Sequence, residues 1–147
     1  MEGIEYKVTV IEFSEELLTG IPEMDEQHKK LVELLNKVVS VLREGRREEA
    51  RNILIRELLD YVESHLTSEE EFLKSIGYPD YENHKKAHDV FRKEVQSLAP
   101  HVKNGDEKAF RDVLFLSWGW VYNHIAKTDK KYGLYAKEMG FGKNQNR

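Results

Sequence analysis

The sequence predicts an all-α fold, an up-down-up-down four-helix bundle with an N-terminal arm and a short C-terminal helical extension. In four successive segments, apolar or histidine residues recur at alternating steps of three and four, the period of one face of an α-helix. Short connections containing glycine or proline separate these segments and favour antiparallel neighbours. At 147 residues, the chain has the usual size of one domain. We therefore predict a single domain over residues 1–147, with an arm (1–21), a bundle (22–133) and an extension (134–147).

The first two helices are bounded by residues that start or stop helices. The first begins at Pro22, since proline is tolerated in a first helical turn, and ends before Gly45, since glycine adopts the left-handed conformation easily. The second runs roughly from Arg47 to Ile76. Their inward stripes are Met24, His28, Leu31, Leu35, Val38 and Leu42, then Leu54, Leu58, Tyr61, His65, Glu69, Phe72 and Ile76.

The last two helices follow the same rules. The third starts near Pro79, and Pro100 is expected to kink or fray its last turns. Asp106 is a predicted cap for the fourth, and Gly133 is expected to loosen it before the extension, Leu134 to Met139. The inward stripes are Tyr81, His84, His88, Phe91, Val95, Leu98 and Val102, then Phe110, Leu114, Ser117, Val121, His124 and Thr128.

The composition excludes several classes of protein. The longest mostly apolar stretch, Val113 to Val121, is far shorter than the roughly 20 residues that cross a bilayer. The N-terminus lacks the basic and apolar regions of a secretory signal, so we expect a cytoplasmic protein without a membrane partner. A net charge of −4 with scattered basic residues argues against nucleic acid as a partner. Because the chain has no cysteine, any metal must have nitrogen and oxygen ligands.

Histidines interrupt every predicted apolar stripe. An inward histidine such as His28, taken alone, is most often a core residue bonded to the backbone. Five inward histidines together with Glu69 are different, because buried polar groups without partners are costly. The histidines lie early in the first and third helices and late in the second and fourth, so antiparallel packing places them in one layer. His101 lies far from that layer and is expected at the surface.

The spacing of these residues suggests how they hold metal. His84 and His88, and likewise His65 and Glu69, are four residues apart, which places each pair on one helix face within reach of one ion. His124 and Asp129 are five residues apart, about 140° around an α-helix. We therefore expect that they do not chelate one ion as an i, i+4 pair would, and that the carboxylate links two metals.

A count of ligands indicates what such a centre could bind. If Glu69 and Asp129 each bridge two ions, the chain supplies nine metal bonds and an oxo or hydroxo bridge supplies two more. Two octahedral ions need twelve, so one position stays open for one small ligand. The site has fewer anionic ligands than the carboxylate-rich di-iron bundles, which favours ligand binding over oxidase chemistry.

Four segments carry these residues: MDEQHKKL, HLTSEEEFL, GYPDYENHKKAH and WVYNHIAKTDKKYG. Together they resemble the hemerythrin family, in particular the bacterial single-domain hemerythrins, over most of residues 20–133. The resemblance implies two non-haem iron ions with a bridging oxo or hydroxo group and reversible binding of dioxygen at the second ion. The implied ligands are His84, His88 and His124 on the first iron, His28 and His65 on the second, and Glu69 and Asp129 between them.

The surroundings of the predicted centre are less constrained by the sequence. Tyr132, just beyond Asp129, is expected to be solvated at an exposed helix end, with a hydrogen bond to a ligand as the alternative. Phe13 and Leu73 stand where the family often has tryptophan and methionine, a departure that bears on pocket access and the autoxidation rate. The ligand pocket would be lined by Leu31, Leu66, Trp120 and Ile125, for which plain core packing is an equal alternative.

Three functions remain open from the sequence. We favour a dioxygen-binding protein, not an enzyme, that stores, delivers or senses oxygen, with an unidentified oxygen-consuming or redox partner. The second is a di-iron peroxidase, oxidase or nitric-oxide-handling enzyme on the same site. The third is an iron-storage or structural bundle, or one that holds zinc or manganese, since imidazole and carboxylate accept these metals too.

Overall fold

The computed structural model describes residues 10–141, which contain four long helices and no β-strand. Helix α1 is Pro22–Arg43, α2 is continuous over residues 47–75, α3 is Tyr81–Lys103 and α4 is continuous over residues 107–138. Helices α1 and α2 pack together, as do α3 and α4, while α2 also contacts α3 and α1 contacts α4. The predicted all-α four-helix bundle is confirmed. No helix within residues 10–141 is long and apolar enough to cross a bilayer.

Two of the four helices contain a π-helical segment. In α2 this segment is Leu54–Leu58, between Arg47–Ile53 and Leu59–Ser75. In α4 it is Trp120–Thr128, between Glu107–Gly119 and Asp129–Glu138. A π-helix pairs residue i with residue i+5 and occurs frequently at functional sites. Neither segment was predicted from the sequence.

The ends of the helices agree with the prediction in part. The side chain of Asp106 accepts hydrogen bonds from the backbone of Lys108 and Ala109, so the predicted cap is confirmed. Helix α3 begins at Tyr81, two residues after Pro79, and runs through Pro100 to Lys103. The expected fraying at Pro100 was therefore wrong, because residues 101–103 beyond it stay α-helical.

The role predicted for Gly133 was also wrong. Helix α4 continues through this residue to Glu138, so the predicted C-terminal helix is the end of α4. A Cβ atom at Gly133 would lie 2.0 Å from the backbone oxygen of Thr19. Glycine is therefore required here for close contact between the arm and the helix.

The arm is fastened to α1 by side-chain hydrogen bonds. The carboxylate of Asp25 accepts bonds from the backbone N–H and hydroxyl of Thr19, at 2.7 and 2.8 Å, and from the N–H of Gly20 at 3.1 Å. Further along, the side chain of Asn36 bonds the backbone N–H and oxygen of Ile11. A short 3₁₀ turn, Glu15–Leu17, lies between these attachments.

Two apolar clusters fill the interior. The larger contains residues from all four helices, including Leu35, Leu58, Phe91 and Val121. The smaller is formed by Ile21, Met24, Leu73, Ile76, Tyr78, Tyr132 and Ala136. On α1 and α3 the histidines lie between residues that pack in the smaller cluster and residues of the larger one. Phe13 packs against the larger cluster, and Leu73 is fully buried in the smaller one.

Candidate metal centre

All seven predicted ligands meet in one buried layer of the bundle. Each is at most 5% exposed. Helix α1 supplies one residue, α2 two, α3 two and α4 two, as antiparallel packing of the four stripes requires. The seven residues are His28, His65, Glu69, His84, His88, His124 and Asp129.

One group of four side chains contains three of the histidines. Its ligand atoms, from Glu69, His84, His88 and His124, lie within 4.8 Å of one another. The Oε1 atom of Glu69 is 2.9 Å from Nε2 of His84 and 3.0 Å from Nε2 of His88. The Nε2 atoms of His84 and His124 are 3.3 Å apart. We call this set the three-histidine group.

The second group has two histidines and both carboxylates. It consists of His28, His65, Glu69 and Asp129, whose ligand atoms also lie within 4.8 Å of one another. The Oε2 atom of Glu69 is 3.2 Å from Nε2 of His28 and 3.6 Å from Nε2 of His65. The Oδ2 atom of Asp129 is 3.1 Å from Nε2 of His28. We call this set the two-histidine group.

Both carboxylates lie between the two groups. Glu69 directs one oxygen to each group, as the distances above describe. Asp129 does the same, because its Oδ1 atom is 3.0 Å from Nε2 of His124 and 3.1 Å from Nε2 of His84, whereas Oδ2 faces His28. Such an arrangement can link two metal ions.

The π-helical segment of α4 changes the predicted relation between His124 and Asp129. In an α-helix, residues five apart point about 140° apart. The backbone from Trp120 to Thr128 is π-helical, so residues five apart lie on nearly the same face of the helix. The two side chains consequently approach to 3.0 Å, so the 140° separation expected for an α-helix does not hold here. The five-residue spacing was the available signal.

The residues fit a metal rather than a hydrogen-bonded polar cluster. Within the described part of the chain, both carboxylate oxygens of Asp129 and Nε2 of His65 lack a hydrogen-bond partner. Yet the Asp129 oxygens lie only 3.0–3.1 Å from histidine nitrogens. Ligand atoms that bind a common ion at about 2.1 Å lie roughly 3–4 Å apart, which is the spacing seen here. Imidazole and carboxylate suit iron, zinc and manganese.

A comparison of the sequence with known families supports this fit. The family described as Hemerythrin HHE cation binding domain matches residues 19–135. The chain belongs to the hemerythrin family. The bacteriohemerythrin of Clostridium acetobutylicum is 31% identical over 125 residues, which cover 82% of this chain and 96% of that protein.

Two further relatives extend the range of similar proteins. The bacteriohemerythrin of Methylococcus capsulatus is 33% identical over 115 residues, covering 78% of this chain and 87% of that protein. A hemerythrin-like protein of Naegleria gruberi is 34% identical over 113 residues, covering 77% and 82% of the two chains. The resemblance to hemerythrins predicted from the sequence is thus confirmed.

The charges in this hemerythrin centre are balanced by protons when no metal is bound. Burial alone would lower the pKa of His28, but Asp129 and Glu69 outweigh burial and raise it to about 10. The same competition raises the pKa of His84 to about 9. Burial lowers the pKa of His65 to about 4, so its imidazole is neutral. Burial opposes ionisation of Glu69, yet the surrounding histidines hold its pKa well below the ordinary value.

Three residues outside the set of seven form hydrogen bonds with the proposed ligands. Gln27 Oε1 lies 2.8 Å from Nδ1 of His65, and Glu70 Oε2 lies 2.8 Å from Nδ1 of His88. Tyr132 is fully buried and donates a 2.7 Å hydrogen bond to Oε2 of Glu69. The expected exposure of Tyr132 was therefore wrong, and the alternative of a bond to a ligand is what the structure shows.

Sequence reasoning missed Gln27 and Glu70, although both are adjacent to ligands in the sequence. Glu70 follows Glu69 in a run of three glutamates, and only the packing of α2 on α3 distinguishes it from an exposed acid. Gln27 precedes His28 but bonds a histidine on another helix. By contrast, His101 is exposed, as predicted.

The residues predicted to line a ligand pocket differ in burial. Three of them, Leu31, Leu66 and Ile125, are at most 1% exposed and belong to the larger apolar cluster. Trp120 is half-buried, and its ring stacks on that of His124 at 3.8 Å between centroids. The role of these side chains toward a ligand stays a prediction.

Proposed function

We propose that the chain holds two non-haem iron ions joined by an oxo or hydroxo bridge and binds dioxygen reversibly. The observation that carries this proposal is the pair of ligand groups with both carboxylates between them. Membership of the hemerythrin family and the relatives named bacteriohemerythrin support iron as the metal. The iron pair, when bound, would supply reversible coordination of dioxygen.

The proposed ligands divide unequally between the ions. The three-histidine group would hold the first ion, and His28 and His65 would hold the second, with Glu69 and Asp129 shared. The second ion then has one protein ligand fewer than the first. An open position on that ion suits a single small ligand, as the count from the sequence predicted.

The surrounding residues favour binding over catalysis. Leu31, Leu66 and Ile125 are buried apolar side chains, which exclude water from the centre. Tyr132 holds Glu69 in place through a hydrogen bond. Two carboxylates among seven ligands supply little negative charge, which disfavours the high oxidation states that oxidases use. We therefore propose a binding protein and not an enzyme.

The biological setting is a further part of the prediction. Storage, delivery or sensing of oxygen, an oxygen-consuming or redox partner, and a cytoplasmic location stay predictions from the sequence.

An optical experiment tests the proposal. The protein is loaded anaerobically with iron(II), and its spectrum is recorded before air, in air and after vacuum. We expect visible charge-transfer bands that form in air and disappear under vacuum. His88→Ala should abolish them, whereas the matched surface variant His101→Ala should not. Irreversible conversion to the ferric spectrum would instead favour the redox enzyme, and failure to take up iron would refute the centre.

A further inference from the structure

Two of the proposed iron ligands, His88 and His65, are hydrogen-bonded at Nδ1 to partners of different charge. The Nδ1–H of His88 donates to a carboxylate oxygen of Glu70 at 2.8 Å. The Nδ1–H of His65 donates to the amide oxygen of Gln27, also at 2.8 Å. In both cases Nε2 is left facing the centre. The three-histidine group therefore has an anionic partner, and the two-histidine group has a neutral one.

The Glu70 carboxylate forms an ion pair with an arginine. Glu70 is 9% exposed, and Nη1 of Arg92 donates a 2.6 Å hydrogen bond to the same Oε2 atom that faces His88. Such a charge-assisted bond offsets the cost of burying the carboxylate. Arg92 also pairs with Glu63 and Asp89, each at 3.0 Å. One guanidinium is thus shared by three carboxylates, and this network is anionic overall.

Gln27, the neutral partner, is also held in place by a hydrogen bond. The side-chain amide of Gln27 donates to the hydroxyl of Ser68 at 3.0 Å, which turns its oxygen toward His65. On the same side of the centre, Tyr132 donates to Oε2 of Glu69, the oxygen that faces the two-histidine group. A donated hydrogen bond withdraws charge from that oxygen. The Tyr132 contact therefore reduces electron donation to the two-histidine position, and Gln27, being neutral, adds less donation than a carboxylate would.

We propose that these partners make the two iron positions electronically unequal. A carboxylate that accepts the Nδ1–H of a ligand histidine raises the basicity of that ligand, so Glu70 stabilises the higher oxidation state of the ion bound by His88. Gln27 provides no such charge to the ion bound by His65, which has the open position. Glu70 and Gln27 are positioning residues in this scheme. The inference rests on the proposed metal ligands but not on dioxygen binding.

Three substitutions separate the effect of the partner's charge from the effect of its hydrogen bond to the histidine. Glu70→Gln keeps an acceptor near His88 and removes the charge, whereas Gln27→Glu adds a charge beside His65. Glu63→Gln is the matched control, because it removes the same charge from another partner of Arg92 that does not contact a ligand.

The first test is the midpoint potential of the iron pair, measured by anaerobic titration with redox mediators. Glu70→Gln should raise the potential, Gln27→Glu should lower it, and Glu63→Gln should leave it unchanged within error. In Mössbauer spectra of the reduced, iron-57-loaded protein, Glu70→Gln and Gln27→Glu should each shift a different one of the two ferrous doublets. Shifts in the same direction, shifts of the same doublet, or an equal effect of the control would overturn the inference.

The second test uses zinc, which is diamagnetic and has no redox chemistry. In the zinc-loaded protein, the Nδ1 proton of His88 should resonate further downfield than that of His65, and Glu70→Gln should reduce the difference. Glu70→Ala should lower zinc affinity roughly 10- to 100-fold. Coincident resonances in the unmodified protein would refute the unequal partners. If the potentials shift as expected but oxygen does not bind reversibly, the proposed function fails and this inference stands.

Discussion

Close packing of the arm on α4 makes Gly133 a position where one added carbon should be costly. In Gly133→Ala, the new Cβ would lie 2.0 Å from the backbone oxygen of Thr19 and 2.9 Å from its carbonyl carbon. A backbone contact cannot be relieved by a side-chain rotation, and α4 is held by its own hydrogen bonds. The arm must therefore move away by about 1 Å or more to reach an ordinary contact distance.

That movement would break the attachment of Thr19 to Asp25. The three hydrogen bonds involved are 2.7–3.1 Å long, so a shift of this size takes them beyond bonding distance. Each hydrogen bond contributes about 1 kcal/mol net to the free energy of unfolding. In the opposite direction, alanine stabilises a helix interior by about 0.5–1 kcal/mol relative to glycine. We expect the free energy of unfolding to fall by about 2–3 kcal/mol.

Urea denaturation followed by circular dichroism measures this change. Gly119→Ala is the matched control, since its Cβ would meet only the side chain of Asn123, at 3.6 Å, and it should be neutral or slightly stabilising. Asp25→Asn tests the mechanism, because its effect should be smaller in the Gly133→Ala background than alone. A loss below about 0.5 kcal/mol for Gly133→Ala, or full additivity with Asp25→Asn, would refute the reasoning.

Three further predictions follow from the contacts of individual side chains. Metal must displace protons from His28 and His84, whose pKa values are about 10 and 9 in the protein without metal. Zinc loading at pH 8 should therefore release roughly two protons into a weakly buffered solution, and zinc affinity should rise with pH up to about 9–10. If zinc loading released no protons, these two pKa values would be contradicted. Tyr132→Phe removes the hydrogen bond to buried Glu69. In thermal denaturation of the chelator-treated protein, the free energy of unfolding should fall by about 1–3 kcal/mol. An unchanged melting temperature would contradict this prediction. Asp106→Ala removes the cap of α4 and should cost about 1 kcal/mol in urea denaturation without changing zinc stoichiometry; a changed stoichiometry would show that the cap affects the centre.

The predictable part of the molecule was the part governed by helical periodicity. Alternating steps of three and four residues place His28, His65 and His84 on inward stripes, and the cost of burying them without partners points to a metal. The early and late positions of these residues in successive helices were enough to place them in one layer. The structure brings together all seven predicted residues for these reasons.

The features that were missed depend on contacts between elements. The π-helical backbone around His124 has no apolar period of its own, so an α-helical projection gave the wrong angle to Asp129. A glycine such as Gly133 looks the same in the sequence whether it ends a helix or allows another segment to pack closely against the helix. Only the position of Thr19 in the structure distinguishes these two roles. Tyr132 was placed in solvent because α4 was expected to end nearby.

The stacking of Trp120 on His124 gives the molecule a built-in optical reporter. The two rings are nearly parallel, with an interplanar angle of 10° and centroids 3.8 Å apart. A metal bound by His124 would therefore lie close enough to an indole to quench its fluorescence. Since Trp118 is the only other tryptophan in the sequence, a Trp118→Phe protein would emit from Trp120 alone. Loading and removal of a quenching ion such as iron could then be followed in real time without any added dye.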